Sequence, residues 1–344
     1  MKAVVLHGPG DLRVDDVAEP TLPPGGILLR TAAVGICGSD VRTWRQGSPR
    51  LSRPQVMGHE FAGTVIATDV PAIPAGTAVA VCPGAPCLDC RACAAGHANL
   101  CRRRRVLGYD LPGGMAELVA IPANWIRTGG VVTLDPTRPV ELGAIVEPLH
   151  TVLNGQDQAR IRAGDAVLVL GLGPIGILHL ASALSAGAGP VLGVDPDAVR
   201  VAAAGAIVSG ADTATMEAGW MIWAREAVGG GGFDVVIVAV GSREAISTAI
   251  EMTEPGGRIL AFAGLPSSAS GFELDMNVLH YRQLSIVGAF GGTPAHFRRA
   301  AGWLATSDFD VAAFAPHRFP LVDAPAAFDS VARGEGIKTL LRPD

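Results

Sequence analysis

Aromatic and charged residues are scarce in this chain of 344 residues, at 5% and 17% respectively. No unbroken apolar run reaches the roughly eighteen residues that a helix needs to span a bilayer. The opening segment MKAVVLHGPGDL also lacks the apolar core of a signal peptide, because Gly, Pro and Asp follow its short apolar stretch at once. We therefore expect a cytoplasmic protein with no membrane partner.

Excess positive charge is absent as well. The formal net charge is −5, so no overall basic field favours nucleic acid. The one basic run, Arg102–Arg105, is expected to be a solvated patch. We expect the partner to be a small molecule, and we expect the chain to form a homodimer or a homotetramer.

Small and apolar residues are abundant. The chain contains 44 glycines and is 49% hydrophobic, which is ample for large cores and many tight turns. A length of 344 residues favours two domains over one.

Cysteine is rare overall, but four of the six cysteines fall within fifteen residues. Four thiolates on one short loop are typical of a closed, tetrahedral structural zinc site. A pair of disulfides and an iron–sulfur cluster are the alternatives. Nothing else indicates a secreted protein, and the spacing differs from the ferredoxin pattern. The predicted ligands are Cys87, Cys90, Cys93 and Cys101.

The first half of the chain alternates short β-branched runs with Gly- and Pro-rich turns, which indicates an irregular antiparallel β domain. Three of its segments carry possible zinc ligands: Gly35–Asp40 with Cys37, Gly58–Gly63 with His59, and Glu147–His150. A catalytic zinc site needs about three protein ligands and one open position. Each segment alone has little specificity.

The second half alternates strands with helices. The buried run Asp165–Gly171 ends in a GxGxxG sequence, a helix follows, and Asp195 comes 24 residues after the first glycine. This context is required of a dinucleotide-binding βαβ unit, in which the helix N-terminus stabilises the pyrophosphate. The predicted loop residues are Gly171, Gly173, Pro174, Ile175 and Gly176.

Taken in order, these motifs resemble the zinc-dependent medium-chain alcohol dehydrogenases, within the branch of sorbitol, threonine and sugar-alcohol dehydrogenases. The resemblance covers nearly the whole chain. It implies an α/β protein with a GroES-like irregular β catalytic domain at 1–150 and a structural zinc lobe at about 82–105. A doubly wound parallel-sheet (Rossmann) domain would follow at 151–288, and residues 289–344 would return to the catalytic domain. Zinc and nicotinamide would share the cleft between the domains.

The resemblance also implies individual roles near the catalytic zinc. Cys37 and His59 match the first two ligands, and Glu147 matches the third in the branch that uses glutamate. Glu60 matches a carboxylate that either binds zinc or lies behind its ligands, and both roles stay open. Ser39 matches the hydroxyl that begins the proton relay, and Asp40 matches the carboxylate that orients the imidazole. His150 is a further catalytic candidate, or else a buried structural group.

The cofactor is expected to be NAD. Asp195 would accept hydrogen bonds from the adenosine ribose and repel the 2′-phosphate of NADP. Arg200 complicates this expectation, because its guanidinium could instead recruit a phosphate or stack on adenine. By resemblance, three loops line the nicotinamide: Val240–Gly241, Gly264–Leu265 and Ala289–Phe290.

The predicted reaction is the reversible oxidation of a secondary alcohol to a ketone, with hydride transfer to NAD and two zinc ions in each chain. A hydroxyl-rich substrate is favoured by the polar candidates Arg42, Trp44, Arg45 and His150. The segments Cys37–Gly63 and Leu279–Arg282 are similar to sugar and aminocyclitol dehydrogenases, among them 2-deoxy-scyllo-inosamine dehydrogenase. Two alternatives remain: a zinc-independent enone reductase of the same fold, and a non-catalytic scaffold that binds zinc and NAD.

Overall fold

The computed structural model describes residues 1–51, 54–265 and 271–343. The chain forms two compact units, of which the first comprises Met1–His150 with Gly292–Asp344 and the second comprises Thr151–Gly291. The return to the first unit therefore begins at Gly292, so that Ala289 and Phe290 belong to the second unit.

The strands and helices of the described residues are numbered in chain order. The strands are β1 (Lys2–Gly8), β2 (Asp11–Asp16), β3 (Ile27–Gly35), β4 (Gln55–Val56), β5 (Glu60–Thr68), β6 (Ala78–Val81), β7 (Gly84–Ala85), β8 (Arg105–Val106), β9 (Leu118–Ile121), β10 (Val131–Thr133), β11 (Val167–Leu170), β12 (Val191–Asp195), β13 (Asp212–Thr215), β14 (Phe233–Val238), β15 (Thr253–Ala261), β16 (Ser285–Gly288), β17 (His317–Pro320) and β18 (Thr339–Arg342). The α-helices are α1 (Gly38–Gln46), α2 (Arg91–Ala94), α3 (Ala123–Arg127), α4 (Val146–Ala159), α5 (Pro174–Ser185), α6 (Ala198–Ile207), α7 (Trp220–Ala227), α8 (Arg243–Met252), α9 (Met276–Tyr281), α10 (Pro294–Thr306), α11 (Val311–Phe314) and α12 (Ala324–Ala332).

The first unit is built around a seven-stranded sheet in the order β10-β6-β5-β3-β18-β17, with β9 also paired to β3. Its pairs are antiparallel, as expected, with one exception: β17 and β18 run parallel. The pairing of β18 with β3 joins Leu340 to Gly35 and Leu341 to Val34. The C-terminal strand is thereby placed directly beside the segment that carries Cys37.

The core of the first unit includes buried aliphatic and aromatic side chains from these strands, from α3 and from α12, among them Ile27, Leu29, Phe61, Trp125 and Phe328. The burial of β3 alternates at first and becomes continuous at its end, where Val34 is fully buried. Ile36, just after the strand, is 3% exposed. Cys37, the residue that precedes α1, therefore follows a buried segment.

The second unit contains a six-stranded sheet in the order β13-β12-β11-β14-β15-β16, with every pair parallel. Numbered from β11 as the first strand, this order is 3-2-1-4-5-6, the doubly wound arrangement. All four residues of β11 are buried, as expected of a strand covered on both faces. The predicted Rossmann architecture is confirmed.

The segment Pro255–Gly257 lies within β15. Phe233 of β14 pairs with Thr253 of β15, and Val235 pairs with Arg258. Two residues along β14 therefore correspond to five along β15, and the extra residues of β15 bulge out of the sheet. Gly256 allows this bulge because its φ of 82° lies in the left-handed region.

Across the described ranges, no helix is both long enough and apolar enough to cross a membrane.

Candidate active site

Cys37 lies at the N-terminus of α1, where it is the N-cap residue. Its backbone N–H donates to Asp40 Oδ2 at 3.0 Å, which fixes Asp40 beneath the cysteine. The thiolate is the form of cysteine that binds a metal. The Cys-Gly-Ser-Asp sequence therefore forms a compact structural unit.

His59 follows Gly58, whose φ of 95° turns the chain into β5. Its Nδ1 lies 3.2 Å from Asp40 Oδ1, and both side chains are buried. Burial alone would lower the pKa of His59, but the carboxylate of Asp40 and the thiol of Cys37 together hold it well above its usual value. Nδ1 of His59 and Oδ1 of Asp40 face each other as an ion pair without an aligned hydrogen bond, so the other ring nitrogen is the candidate metal-binding atom.

Glu60 completes a group of three possible metal ligands. One donor atom each from Cys37, His59 and Glu60 lies within 4.8 Å of the other two. The Glu60 carboxylate also forms a buried ion pair with Lys338, whose Nζ donates to the Ile36 carbonyl at 3.0 Å. This donor set of a thiol, an imidazole and a carboxylate fits zinc.

Lys338 was missed from the sequence. It lies 278 residues from Glu60, and no local motif marks it. The pairing of β18 with β3 brings it into place. Its ammonium balances the Glu60 charge in a setting where an unpaired ion would be costly.

Glu147, the third ligand suggested by the resemblance, lies in the first turn of α4 and is 8% exposed. It does not belong to the three-residue group around Cys37. Burial raises its pKa to about 7, while His59 lowers that value and Glu60 raises it. Glu147 is therefore a neighbouring carboxyl of the site, and the geometry favours Glu60 for the third position.

His150 lies one turn further along α4, with Nδ1 against the Glu147 backbone carbonyl. Burial lowers its pKa to about 3, so the imidazole is neutral. Its ring makes an edge contact with Phe297 at 5.4 Å between centroids. These surroundings fit the structural alternative better than a catalytic role.

Ser39 and Tyr109 form a polar edge beside His59. The Tyr109 hydroxyl lies 3.4 Å from Ser39 Oγ, and its ring centroid is 5.8 Å from that of His59. Tyr109 was not identified from the sequence, where it lies in an unremarkable Gly-Tyr-Asp. Of the residues expected to favour a hydroxyl-rich substrate, Arg42 and Arg45 are exposed, and Trp44 packs against Phe328.

The four clustered cysteines meet as predicted. Their sulfur atoms are separated by 3.3 Å, 3.5 Å and 3.9 Å in the pairs Cys101–Cys87, Cys90–Cys93 and Cys87–Cys93. All four are free thiols at separations far beyond the roughly 2.05 Å of a disulfide. Their sulfur atoms form one group that could hold a metal ion.

The neighbouring arginine run is only partly the solvated patch that was expected. Arg102, Arg103 and Arg105 are exposed. Arg104 differs, because burial lowers its pKa and it interacts electrostatically with Cys82 and Glu147. Its side chain is half-buried and lies beside Gly84.

The glycine-rich loop has the geometry of a phosphate-binding turn. Gly171 has a φ of 96°, and Gly173 is the N-cap of α5, with Pro174 in its first turn. A Cβ on Gly176 would lie 1.8 Å from the Gly171 carbonyl oxygen, so only glycine fits there. Asp195 ends β12, and its carboxylate accepts from the backbone N–H groups of Leu172 at 2.7 Å and Asp197 at 2.9 Å.

The predicted nicotinamide loops follow the carboxyl ends of their strands. A Cβ on Gly241, after β14, would lie 2.6 Å from the carbonyl oxygen of Gly264, after β15. Val240 also packs beside Gly171. Ligands of open parallel sheets bind at this edge, where the strand order reverses.

Sequence comparisons agree with this arrangement. Residues 23–129 match the alcohol dehydrogenase GroES-like domain, and residues 174–306 match the zinc-binding dehydrogenase domain. Sorbitol dehydrogenase of Rattus norvegicus is 31% identical over 99% of this chain and 96% of its own length. L-threonine 3-dehydrogenase of Streptomyces avermitilis is 34% identical over 99% of both chains.

A solved structure gives the same result. A zinc-binding dehydrogenase from Sinorhizobium meliloti, bound to NADP, superposes with a TM-score of 0.90 at 30% identity and covers 99% of both chains. The chain belongs to the zinc-dependent medium-chain dehydrogenases. It is an alcohol oxidoreductase of the polyol-dehydrogenase-like type, which confirms the resemblance seen in the motifs. Membership of this family also explains why one chain contains both a thiol-imidazole-carboxylate group and a glycine-rich nucleotide loop.

Proposed function

We propose that this dehydrogenase oxidises a secondary alcohol of a polyol, sugar or cyclitol to the ketone, reversibly, with NAD as hydride acceptor. The observation that carries the proposal is the convergence of Cys37, His59 and Glu60 within 4.8 Å of one another, with Asp40 behind His59. The similarity to sorbitol and threonine dehydrogenases supports a hydroxyl-bearing substrate.

We assign one zinc to this group and a second to the four cysteines. When bound at the first site, zinc supplies a Lewis acid that lowers the pKa of the substrate hydroxyl. Asp40 holds the His59 ring in the orientation and tautomer that leave its outer nitrogen free. Lys338 pairs with the Glu60 carboxylate, and Ser39 accepts the substrate proton while passing on its own.

The proposal is tested by following NADH formation with a panel of polyols, cyclitols, amino-cyclitols and simple secondary alcohols. We expect turnover with at least one hydroxyl-rich compound and much weaker turnover with long-chain alcohols. Reduction of an enone, with no alcohol oxidised, would favour the zinc-independent alternative. Cofactor binding without turnover on any substrate would favour the non-catalytic scaffold.

The choice of NAD is proposed to depend on the charge of Asp195. This side chain is 3% exposed at the end of β12, and Arg200 Nη1 lies 4.0 Å from its Oδ2. Asp195→Asn removes the charge that repels a 2′-phosphate and keeps the shape. We expect the ratio of kcat/KM for NAD over NADP to fall by at least about tenfold, equivalent to ~1.4 kcal/mol.

The matched control for this change is Asp197→Ser, which removes a neighbouring charge and replaces the carboxylate that caps α6 with a hydroxyl that can also cap it. It should alter the ratio much less. A wild-type protein that already prefers NADP would contradict the role given to Asp195.

The two candidate carboxylates can be separated by metal affinity. If Glu60 is the ligand, Glu60→Gln should weaken zinc binding at the catalytic site more than about 100-fold. Glu147→Gln should weaken zinc binding by about 10–100-fold, the range for a residue that supports the metal ligands without contacting the metal itself. Competition with a chromogenic chelator measures both values.

Melting temperatures must accompany these affinities, because Glu60→Gln leaves the Lys338 ammonium buried without its partner carboxylate. The double variant Glu60→Gln with Lys338→Met removes that charge. A larger loss of zinc affinity in Glu147→Gln than in either Glu60 variant would assign the third position to Glu147.

A further inference from the structure

Tyr109 is held beside Ser39 by contacts on several sides. Gln55 Nε2 donates to the Tyr109 backbone carbonyl at 3.0 Å. The Arg50 guanidinium lies over the phenol ring, 5.3 Å from its centroid. Arg50 is held in turn by an ion pair with Asp110, which also accepts from the Val106 N–H at 2.8 Å.

These contacts direct the Tyr109 hydroxyl toward Ser39. The Tyr109 hydroxyl donates toward Ser39 Oγ, with the oxygens 3.4 Å apart. Hydrogen bonds at reacting groups are often long in the ligand-free enzyme and tighten when substrate binds. Burial raises the pKa of Tyr109, so the phenol remains a neutral donor.

A serine hydroxyl has one proton and two acceptor positions. If Tyr109 occupies one acceptor position, Ser39 has one position left to receive a proton and one proton left to give. Proton transfer through Ser39 can then run in one direction only, from the substrate hydroxyl to the group that accepts the Ser39 proton. Without the phenol, the serine hydroxyl can rotate among several partners.

We infer that Tyr109 is a positioning residue for alcohol oxidation. It donates to Ser39 and so orients the Ser39 hydroxyl, whose second acceptor position then faces the substrate hydroxyl. The inference rests on the proposed function. In the step, the substrate O–H bond breaks as a new Ser39 O–H bond forms. The original Ser39 proton passes to a water or hydroxyl beyond it, and the carbon's hydride passes to the nicotinamide.

The kinetic test is a double-mutant cycle with Tyr109→Phe and Ser39→Ala. Tyr109→Phe keeps the ring under Arg50 and removes only the hydroxyl. We expect kcat to fall about tenfold, the effect of one hydrogen bond, with KM changed by less than about twofold. In the Ser39→Ala background the same change should have almost no effect, because the residue through which it acts is gone.

The control is Tyr281→Phe. Tyr109 and Tyr281 are the only tyrosines in the chain, and Tyr281 is 80% exposed on α9. It should leave kcat unchanged. An equal loss from Tyr109→Phe in both the wild-type and Ser39→Ala backgrounds would overturn the inference, because it would mean that the hydroxyl acts independently of Ser39.

A second measurement needs no turnover. In the Tyr281→Phe variant, the tyrosine Raman doublet reports the hydrogen bonding of Tyr109 alone. We expect its intensity ratio to change when Ser39→Ala is added, and an unchanged ratio would overturn the inference. The Raman measurement tests the contact between Tyr109 and Ser39 even if the protein oxidises no alcohol. A lack of alcohol oxidation would instead reject the proposed function.

Discussion

Replacing His59 with alanine should abolish alcohol oxidation. His59 is one of three side chains whose donor atoms lie within 4.8 Å, and Asp40 fixes its ring. Without the imidazole, the site retains only Cys37 and Glu60, too few for a catalytic zinc. We expect kcat/KM to fall at least about 10³-fold, equivalent to ~4 kcal/mol of transition-state stabilisation, measured from initial rates with excess NAD.

The matched control is His7→Ala, since His7 is exposed and pairs with Asp15 far from this group in sequence. The control should keep wild-type activity, and both variants should retain the zinc of the four cysteines. A His59→Ala protein that keeps more than about a tenth of its activity would show that this imidazole does not hold a catalytic metal.

Replacing Cys93 with serine should damage stability more than any other single change considered. Between Cys87 and Cys101, the part of the lobe that carries the four sulfur atoms, the regular structure is limited to α2 and one short 3-10 helix. Structural zinc contributes about 10–16 kcal/mol in small zinc-dependent modules, and the surrounding core reduces that dependence here. We expect the zinc content to fall by one per chain, with a clearly lower melting temperature and rapid proteolysis within the lobe.

Cys82→Ser is the control for this variant. Cys82 is a buried thiol at the start of the lobe. It donates to the Gly84 carbonyl at 3.7 Å and lies outside the group of four cysteines. It should keep both zinc ions and lose little stability. If Cys93→Ser keeps wild-type zinc content and melting temperature, the four cysteines are not a structural metal site.

The sequence was most informative where function depends on closely spaced residues. Cys37 and Asp40 are three residues apart, and the Cys37 backbone N–H donates to the Asp40 carboxylate. The four cysteines and the GxGxxG loop are equally local. In such segments, the spacing in the chain almost determines the spacing in space.

Sequence reasoning failed where the site depends on tertiary pairing. Lys338 reaches Glu60 only because β18 pairs with β3, and Tyr109 reaches Ser39 across 70 residues. The sequence left the choice between Glu60 and Glu147 open for a related reason. Both are buried carboxylates near His59, and only their positions relative to Cys37 distinguish them.

The most direct test of the account is a zinc titration of metal-depleted protein, with alcohol oxidation measured at each step. We predict that zinc first restores the folded cysteine lobe without activity, and that turnover appears only as a second equivalent binds. Chelation should then remove the activity before it removes the structural zinc. Full turnover with at most one zinc per chain would contradict the assignment of Cys37, His59 and Glu60 as a catalytic zinc site.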